Sequence, residues 1–338
     1  MTREAEVRAF LAREGWGAAE RRPLAGDASL RRYERLQRGK LPAILMDVPP
    51  GSGLAVGPFL AVTRWLRAAG LSAPEVLAAD EDAGLLLLED LGDALFAVVC
   101  AADPARTGEL YAAAVDVLAD LQQLDPPGAG GGWTPPPYDL AFLMREARLL
   151  VEWYLPAATG RPVASDVAAE FDALAAATFA GVADPRVPVL RDYHAENLIW
   201  LPERCGHARV GLLDYQDMLH GHPAYDLMSL IEDARRDTSP ELRAAIFARH
   251  VARSGADREA FAADAAVLAA QRNLKIVGLF TRLCRRDGKA RYLAFLPRVW
   301  AHLERDLEHP ALAPLAAFVA RHAPAPDAAV RTRIEAGA

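Results

Sequence analysis

Residues 191–197 read RDYHAEN and residues 212–217 read LLDYQD, and these two stretches are the most informative part of the sequence. Each one lies next to an apolar run that is typical of a buried strand. Asn197 comes five residues after Asp192, and Asp214 ends the second apolar run. Transfer of a phosphoryl group needs a carboxylate that orients and deprotonates the acceptor hydroxyl, and it needs oxygen ligands for Mg²⁺. The pattern predicts Asp192 as the catalytic base and Asn197 and Asp214 as magnesium ligands.

The remainder of the chain predicts two lobes of different character. In the first 90 residues, strand-like segments flank residues 26–29, and further strands are expected at 41–48, in APEVLAAD and in GLLLLEDLGD, with a helix at 57–69. Beyond about residue 93 the pattern is helical, with helices predicted at 104–124, 138–155, 166–182, 224–236, 240–254, 258–284 and 289–307. This outline is that of an α+β protein with a five-stranded antiparallel sheet in a small N-terminal lobe, 1–90, and a larger, mostly helical C-terminal lobe, 91–338.

The bulk composition excludes several classes of function. The 338 residues carry a net charge of −7, which argues against broad nucleic-acid binding. No apolar run reaches the roughly 18 residues of a membrane helix, and the charged N-terminus lacks a signal-peptide core. The three cysteines are far apart and suggest neither a zinc site nor a disulfide framework. We therefore expect a cytoplasmic monomer that contacts neither nucleic acid nor membrane.

Both motifs resemble those of aminoglycoside phosphotransferases, choline kinases and protein kinases. The resemblance implies a protein-kinase-like bilobal fold, ATP and Mg²⁺ as cofactors, and a nucleotide-binding N-terminal lobe. By position, GLLLLEDLGD matches the connector whose backbone binds adenine, so the resemblance assigns adenine contacts to Leu88, Glu89 and Leu91. It also places Gly26 and Ser29 in the turn that covers the phosphates, where backbone amides and a hydroxyl approach them.

The chain departs from that pattern at the phosphate clamp. In these kinases the third strand carries a Lys on the phosphates, and a Glu on the next helix holds this Lys. Here the strand has Met46 near that place, and the following helix has no acidic residue. Arg31 and Arg32 are the candidate replacements, and strand alternation sends only one of them inward.

Several longer segments, among them LRDYHAENLIWLP, LLDYQDMLHGHPAYDL and QRNLKIVGLFTRLCRRDGKARYL, resemble one subfamily. It comprises the bacterial anomeric kinases that phosphorylate the C1 hydroxyl of N-acetylmuramate and N-acetylglucosamine in peptidoglycan recycling. The resemblance places the sugar site in the C-terminal lobe. Cations are expected near the lactyl carboxylate of such an acceptor, and Arg272 and Lys275 are three apart on one predicted helix. Asp217 is a candidate acceptor of a hydrogen bond from a sugar hydroxyl.

Other classes stay open at this stage. A kinase of another small metabolite, of the aminoglycoside, choline or homoserine type, has the same motifs. The missing Lys allows a nucleotide-binding pseudokinase. A metal hydrolase is suggested by His220 and His222 beside the acidic motifs, although no HExxH or comparable set of ligands is present.

Overall fold

The computed structural model describes residues 2–24, 30–128 and 133–337. The chain packs into two compact units. The first consists of residues 1–117, 127–134 and 196–218, and the second of residues 118–126, 135–195 and 219–338. Spatial packing thus groups residues 91–117 and the second motif with the N-terminal sheet, whereas the sequence prediction ended that lobe at residue 90. The division of the chain into two domains at residue 90 stays a prediction.

The first unit contains the five-stranded sheet expected from the sequence. Its strands are β1 (Glu20–Pro23), β2 (Arg32–Arg38), β3 (Leu41–Asp47), β4 (Val76–Asp80) and β5 (Leu85–Leu88). Their order is β1-β2-β3-β5-β4, and every neighbouring pair is antiparallel. The unit also contains α1 (Arg3–Arg13), α2 (Gly57–Ala68), α3 (Phe96–Ala102), the start of α4 (Thr107–Leu121), and the two strands β7 (Leu198–Trp200) and β8 (Val210–Leu212).

Alternation along the strands gives this sheet two different faces. On one face, Leu36, Leu45 and Leu87 pack against Phe10 and Leu11 of α1 in a buried apolar cluster. The residues between them project to the opposite face, because successive side chains of a strand point to opposite sides. That second face is the one that lines the cleft described below.

The second unit is helical around one short pair of strands, β6 (Val187–Val189) and β9 (Leu219–Gly221), which are antiparallel. Its helices are α5 (Leu140–Ala147), α6 (Leu155–Thr159), α7 (Ser165–Phe179), α8 (Ala224–Ile231), α9 (Pro240–Ser254), α10 (Arg258–Asp287), α11 (Leu296–Asp306), α12 (Ala313–His322) and α13 (Ala328–Ala336). The prediction of a five-stranded antiparallel sheet followed by a mostly helical remainder is therefore confirmed.

Local capping chemistry explains why some helix limits were predictable. Ser239 caps α9 by accepting a hydrogen bond from the Leu242 amide at 3.2 Å, and Gly255 ends the helix with a φ of 68°. Where capping signals are weak, the predicted helix limits differ from those of the structure. The segment predicted as one helix over 138–155 consists of α5, a π-helical turn over Leu150–Tyr154 and α6. Within the described residues, no helix is long and apolar enough to cross a membrane.

The long helix α10 approaches the chain before the π-helical turn very closely. A Cβ atom built on Gly278 would lie 2.2 Å from the carbonyl carbon of Leu149, a distance at which backbone atoms must move. The glycine is therefore required by contact between two backbones, and not by its own dihedral angles.

We predict that Gly278→Ala lowers the free energy of unfolding by about 2 kcal/mol or more, because steric overlap in a packed interior outweighs helix propensity. Propensity alone would favour alanine by about 1 kcal/mol. Urea denaturation measures the effect. Gly108→Ala is the matched control, since Gly108 is also helical and has nothing within 4 Å of a built Cβ. We expect that variant to be as stable as the parent or slightly more stable, and equal stability of both variants would contradict the prediction.

Candidate active site

The loop that carries Asp192 begins where β6 ends, and a buried carboxylate from α8 holds it. Asp226 accepts hydrogen bonds from the backbone amides of Leu190 and Arg191, at 2.6 and 2.8 Å. Burial raises the pKa of Asp226 to about 7, although the two amide bonds oppose that rise. The hydroxyl of Ser229, one turn further along α8, donates to the Arg191 carbonyl at 3.2 Å. Both the amide and the carbonyl of Arg191, the residue directly before Asp192, are thus hydrogen-bonded to side chains of α8.

Two residues of the sequence motifs adopt the left-handed backbone conformation. Arg191 has a φ of 72° and Asp214 a φ of 57°, and they are the non-glycine residues with positive φ among those that the structure describes. Such conformations cost free energy and persist where the surrounding structure enforces them, often at functional sites. Here they redirect the chain next to Asp192 and at Asp214 itself. Gln216 then donates from its side-chain amide to Asp214 Oδ1 at 2.7 Å.

The first unit contains a cleft of about 300 Å³ between the sheet and the β7–β8 pair. Asn197 and Asp214, the two predicted magnesium ligands, both line it. Apolar side chains supply much of the remaining wall, among them Ile44, Phe59, Leu88, Ile199 and Leu213. The cleft therefore combines an apolar slot suited to a flat ring with oxygen donors suited to a hard cation.

The connector after β5 also borders this cleft, through Leu88, Glu89 and Leu91. The Glu89 carboxylate accepts hydrogen bonds from Arg204 at 2.5 Å and from the Glu75 amide at 3.1 Å, so this side chain holds the connector in place. Within the described ranges, the Glu89 carbonyl and the Leu91 amide form no backbone hydrogen bond. A purine edge that carries one hydrogen-bond donor and one acceptor requires a carbonyl and an amide of this kind from the protein.

Of the two arginines predicted to replace the clamp, one faces the cleft. Arg31 is 8% exposed and lines the cleft, with Nη1 4.0 Å from Asp217 Oδ2, whereas Arg32 is exposed opposite Asp47. Burial and the negative charge of Asp214 raise the pKa of the neighbouring Tyr33 to about 12. The predicted phosphate-turn residues, Gly26 and Ser29, lie outside the described residues.

Met46 is fully buried at the place predicted for the Lys. The helix that normally carries the partner Glu is instead attached to the second motif by uncharged groups. Phe59 of α2 stacks on Tyr215, with ring centroids 5.3 Å apart. Thr63 and the Tyr215 hydroxyl share a hydrogen bond of 2.7 Å in the interior. The position of Tyr215 directly after Asp214 is the sequence signal for this contact, but its partners became visible only in the structure.

In the second unit, Glu146 pairs with cationic side chains near the loop that carries Asp192. It accepts from Arg191 Nη2 at 2.6 Å, from Lys275 Nζ at 2.9 Å and from the Tyr138 hydroxyl. Burial by itself would raise the pKa of Glu146, but Lys275 and Arg191 outweigh it and lower the pKa to about 2. Sequence reasoning found Lys275 but not Glu146 or Tyr138, because nothing in the local pattern distinguishes them.

Arg272 is placed differently from Lys275, although both are on α10. It is 5% exposed and donates to the Glu232 carbonyl at 3.1 Å. Its guanidinium therefore supports the chain after α8. Asp217, the other predicted acceptor contact, is exposed in the first unit.

Of the two histidines of the hydrolase alternative, His222 is poorly suited to metal binding. Both ring nitrogens of His222 are engaged, one with the Ala224 amide at 3.2 Å and the other with Asp264 at 3.2 Å. Burial lowers the pKa of His222 to about 4. By contrast, the amide oxygen of Asn197 and the carboxylate of Asp214 are the donors that Mg²⁺ prefers when phosphates and water complete its shell. The residues present therefore fit a magnesium ion.

Comparison with known proteins identifies relatives of this chain. The sequence profile described as the phosphotransferase enzyme family matches residues 20–263. An N-acetylmuramate/N-acetylglucosamine kinase of Caulobacter vibrioides is 43% identical, over 95% of this chain and 97% of that protein. One of the same description from Pseudomonas aeruginosa is 35% identical, over 91% of this chain and 90% of that protein.

Among solved structures, a microcompartment-associated aminopropanol kinase superposes with a TM-score of 0.64 at 16% identity, covering 91% of this chain and 98% of that one. This likeness confirms the kinase-like fold expected from the sequence. The extent of the profile match and the identity to the Caulobacter protein establish that this chain belongs to the phosphotransferase enzyme family.

Proposed function

We propose that the protein transfers the γ-phosphoryl group of ATP to the anomeric C1 hydroxyl of N-acetylmuramate and N-acetylglucosamine, in the recycling of peptidoglycan. The observation that carries the proposal is the cleft in which Asn197, Asp214 and Arg31 border one apolar slot. That combination suits a nucleoside triphosphate with its metal. The acceptor comes from the names of the relatives, which are 43% and 35% identical to this chain.

The donor is held by the first unit. The connector at Leu88, Glu89 and Leu91 meets adenine through backbone groups, with Ile44 on the adjacent wall. Arg31 neutralises phosphate charge in place of the usual Lys. Gly26 and Ser29, which lie outside the described residues, remain predicted phosphate contacts. Arg32 is exposed and is not assigned a contact.

Asn197 and Asp214 hold Mg²⁺. When bound, the ion neutralises charge that develops on the phosphoryl oxygens. The Gln216 amide orients the Asp214 carboxylate by its hydrogen bond of 2.7 Å.

The acceptor hydroxyl is oriented and deprotonated by Asp192, whose backbone position is set by Asp226. An anomeric hydroxyl is more acidic than an ordinary alcohol, which eases the proton transfer to a carboxylate. Asp217 accepts a hydrogen bond from a second sugar hydroxyl, and Lys275 contributes positive charge on the acceptor side. Arg272 acts indirectly, because its guanidinium is buried against the Glu232 carbonyl. We also propose that the protein works as a cytoplasmic monomer.

We predict that Asp192→Asn lowers kcat for both amino sugars by about a hundredfold to ten-thousandfold, because the variant has no base for the acceptor proton. ATP affinity should stay within about twofold, since the charge change is outside the nucleotide cleft. The measurement is ATP consumption with N-acetylmuramate, N-acetylglucosamine, an aminoglycoside, choline and homoserine, with the phosphorylated position located by NMR.

The parent protein should phosphorylate the two amino sugars at C1 in preference to the other acceptors. Preference for choline or an aminoglycoside would overturn the acceptor assignment and leave the kinase assignment intact. Tight ATP binding with no turnover of any acceptor would indicate a pseudokinase. Undiminished turnover by Asp192→Asn would remove that residue from the mechanism.

Adjacent arginines give a matched test of the phosphate site. Arg31→Gln should raise the KM for ATP about tenfold, because a charge-assisted contact to phosphate is lost. Arg32→Gln removes the same charge one residue away on the exposed side, so its KM for ATP should change by less than about twofold. Equal effects of the two substitutions would show that general electrostatic attraction, and not contact, is responsible.

Asp226→Asn tests the support of the catalytic loop. One oxygen is replaced by an amide nitrogen that cannot accept from a backbone amide, so the loop should lose its fixed geometry. We expect kcat to fall about tenfold to a hundredfold with the KM for ATP little changed, and the free energy of unfolding to fall by about 1–3 kcal/mol. Asp237→Asn, at an exposed aspartate paired with Arg298, is the control and should leave kcat within about twofold. A normal kcat in Asp226→Asn would contradict the positioning role.

A further inference from the structure

The second unit contains a cavity of about 720 Å³ between α5 and α10. Five cationic side chains line it, against only two carboxylates, those of Glu146 and Glu152. The cations are Arg145, Arg148, Arg191, Lys275 and Arg282. A cavity with this excess of positive charge is suited to an anion.

Three of the five cations are already compensated inside the protein. Arg191 and Lys275 share the Glu146 carboxylate, at 2.6 and 2.9 Å. Arg148 pairs with Glu152 at 3.3 Å and with Asp172 at 2.8 Å. Both carboxylates that line the cavity, those of Glu146 and Glu152, are therefore already paired with cations.

Arg145 and Arg282 are different, because neither forms an ion pair with any carboxylate in the part of the chain that the structure describes. The Arg145 guanidinium lies over the Phe142 ring, with Cζ 4.1 Å from the ring centre, a contact that does not neutralise its charge. The Nε of Arg282 is buried without a hydrogen-bond partner within the same residues. Burial and the charge of Arg286 lower the pKa of the Arg282 guanidinium, as expected of a cation with too little negative charge around it.

The cavity is next to the catalytic loop. Arg191, on its wall, is the residue directly before Asp192 in the chain. Burial would lower the pKa of Lys275, but Glu146 above all, with smaller contributions from Tyr225 and Asp192, raises it. The Lys275 ammonium and the Asp192 carboxylate therefore interact electrostatically. The cavity therefore lies on the side of the loop where the proposed function places the acceptor.

We propose that this cavity binds a carboxylate of the acceptor, with Arg282 and Arg145 as the groups that recognise it. The inference rests on the proposed function and deepens it. N-acetylmuramate differs from N-acetylglucosamine by a lactyl ether, which adds one carboxylate and one methyl group to the ring. Leu149, Leu279 and Met144 on the cavity wall offer apolar contacts to that methyl group. The cavity is thus the element that favours the acidic sugar over the neutral one.

The test compares three acceptors in the full-length protein: N-acetylmuramate, its neutral carboxamide analogue, and N-acetylglucosamine. For Arg282→Gln, we expect kcat/KM for N-acetylmuramate to fall about tenfold to a hundredfold relative to kcat/KM for N-acetylglucosamine. The parent should prefer the carboxylate over the carboxamide, and the variant should lose that preference. Arg145→Gln should act in the same direction, because both guanidinium groups meet the same carboxylate.

Arg286→Gln is the matched control. It removes the same charge one turn further along α10, from an exposed side chain paired with Asp287 that does not line the cavity. Its preference for N-acetylmuramate should equal that of the parent. Thermal unfolding of all variants checks that each one is folded under the assay conditions.

Each outcome decides one question. If the parent phosphorylates both sugars and Arg282→Gln loses activity on all three acceptors by the same factor, the carboxylate site is wrong and the proposed function stands. If Arg286→Gln loses the preference as well, general attraction explains it and the site is again wrong. If the parent phosphorylates none of the three acceptors, the proposed function fails, and this inference fails with it.

Discussion

The conformation of the loop that carries Asp192 depends on the carboxylate of Asp226. It accepts from two consecutive backbone amides at the end of β6, in a fully buried position where those amides have no water to replace it. Held in this way, Arg191 adopts its left-handed conformation, and its side chain reaches Glu146. One buried acceptor on α8 thus determines both the backbone before Asp192 and the direction of the side chain beside it.

The second constraint concerns the phosphate end of the cleft. Related kinases connect strand and helix there by an ion pair, whereas this chain has Met46 on the strand and an uncharged helix α2. We propose that two separate groups serve the two purposes of that ion pair. Arg31 brings positive charge to the cleft, and the stacking and hydrogen bond of Tyr215 with α2 provide the mechanical connection. The loss of the Lys and the loss of the Glu are therefore consistent with each other.

Much of the fold and part of the site were predictable from local signals. The helix α9 begins at a Ser-Pro pair and ends at a glycine, and its limits matched the prediction over 240–254. Asn197 and Asp214 were predicted as magnesium ligands from spacing and chemistry, and both line one cleft. These features were accessible because a cap, a strand period or a motif is written in consecutive residues.

The remaining features depend on residues that are distant in the chain and meet only when it folds. Local sequence patterns predicted the five-stranded sheet, the helical remainder and the residue types of the proposed reaction centre. Only the tertiary structure decided that Arg31 faces inward while Arg32 does not, and that Lys275 borders a cavity while Arg272 is buried elsewhere. Glu146 became significant in the same way, through partners 45 or more residues away in the chain. The physical reason is that the partners of a buried charged side chain come from distant segments of the chain, and no local pattern of the sequence specifies those partners.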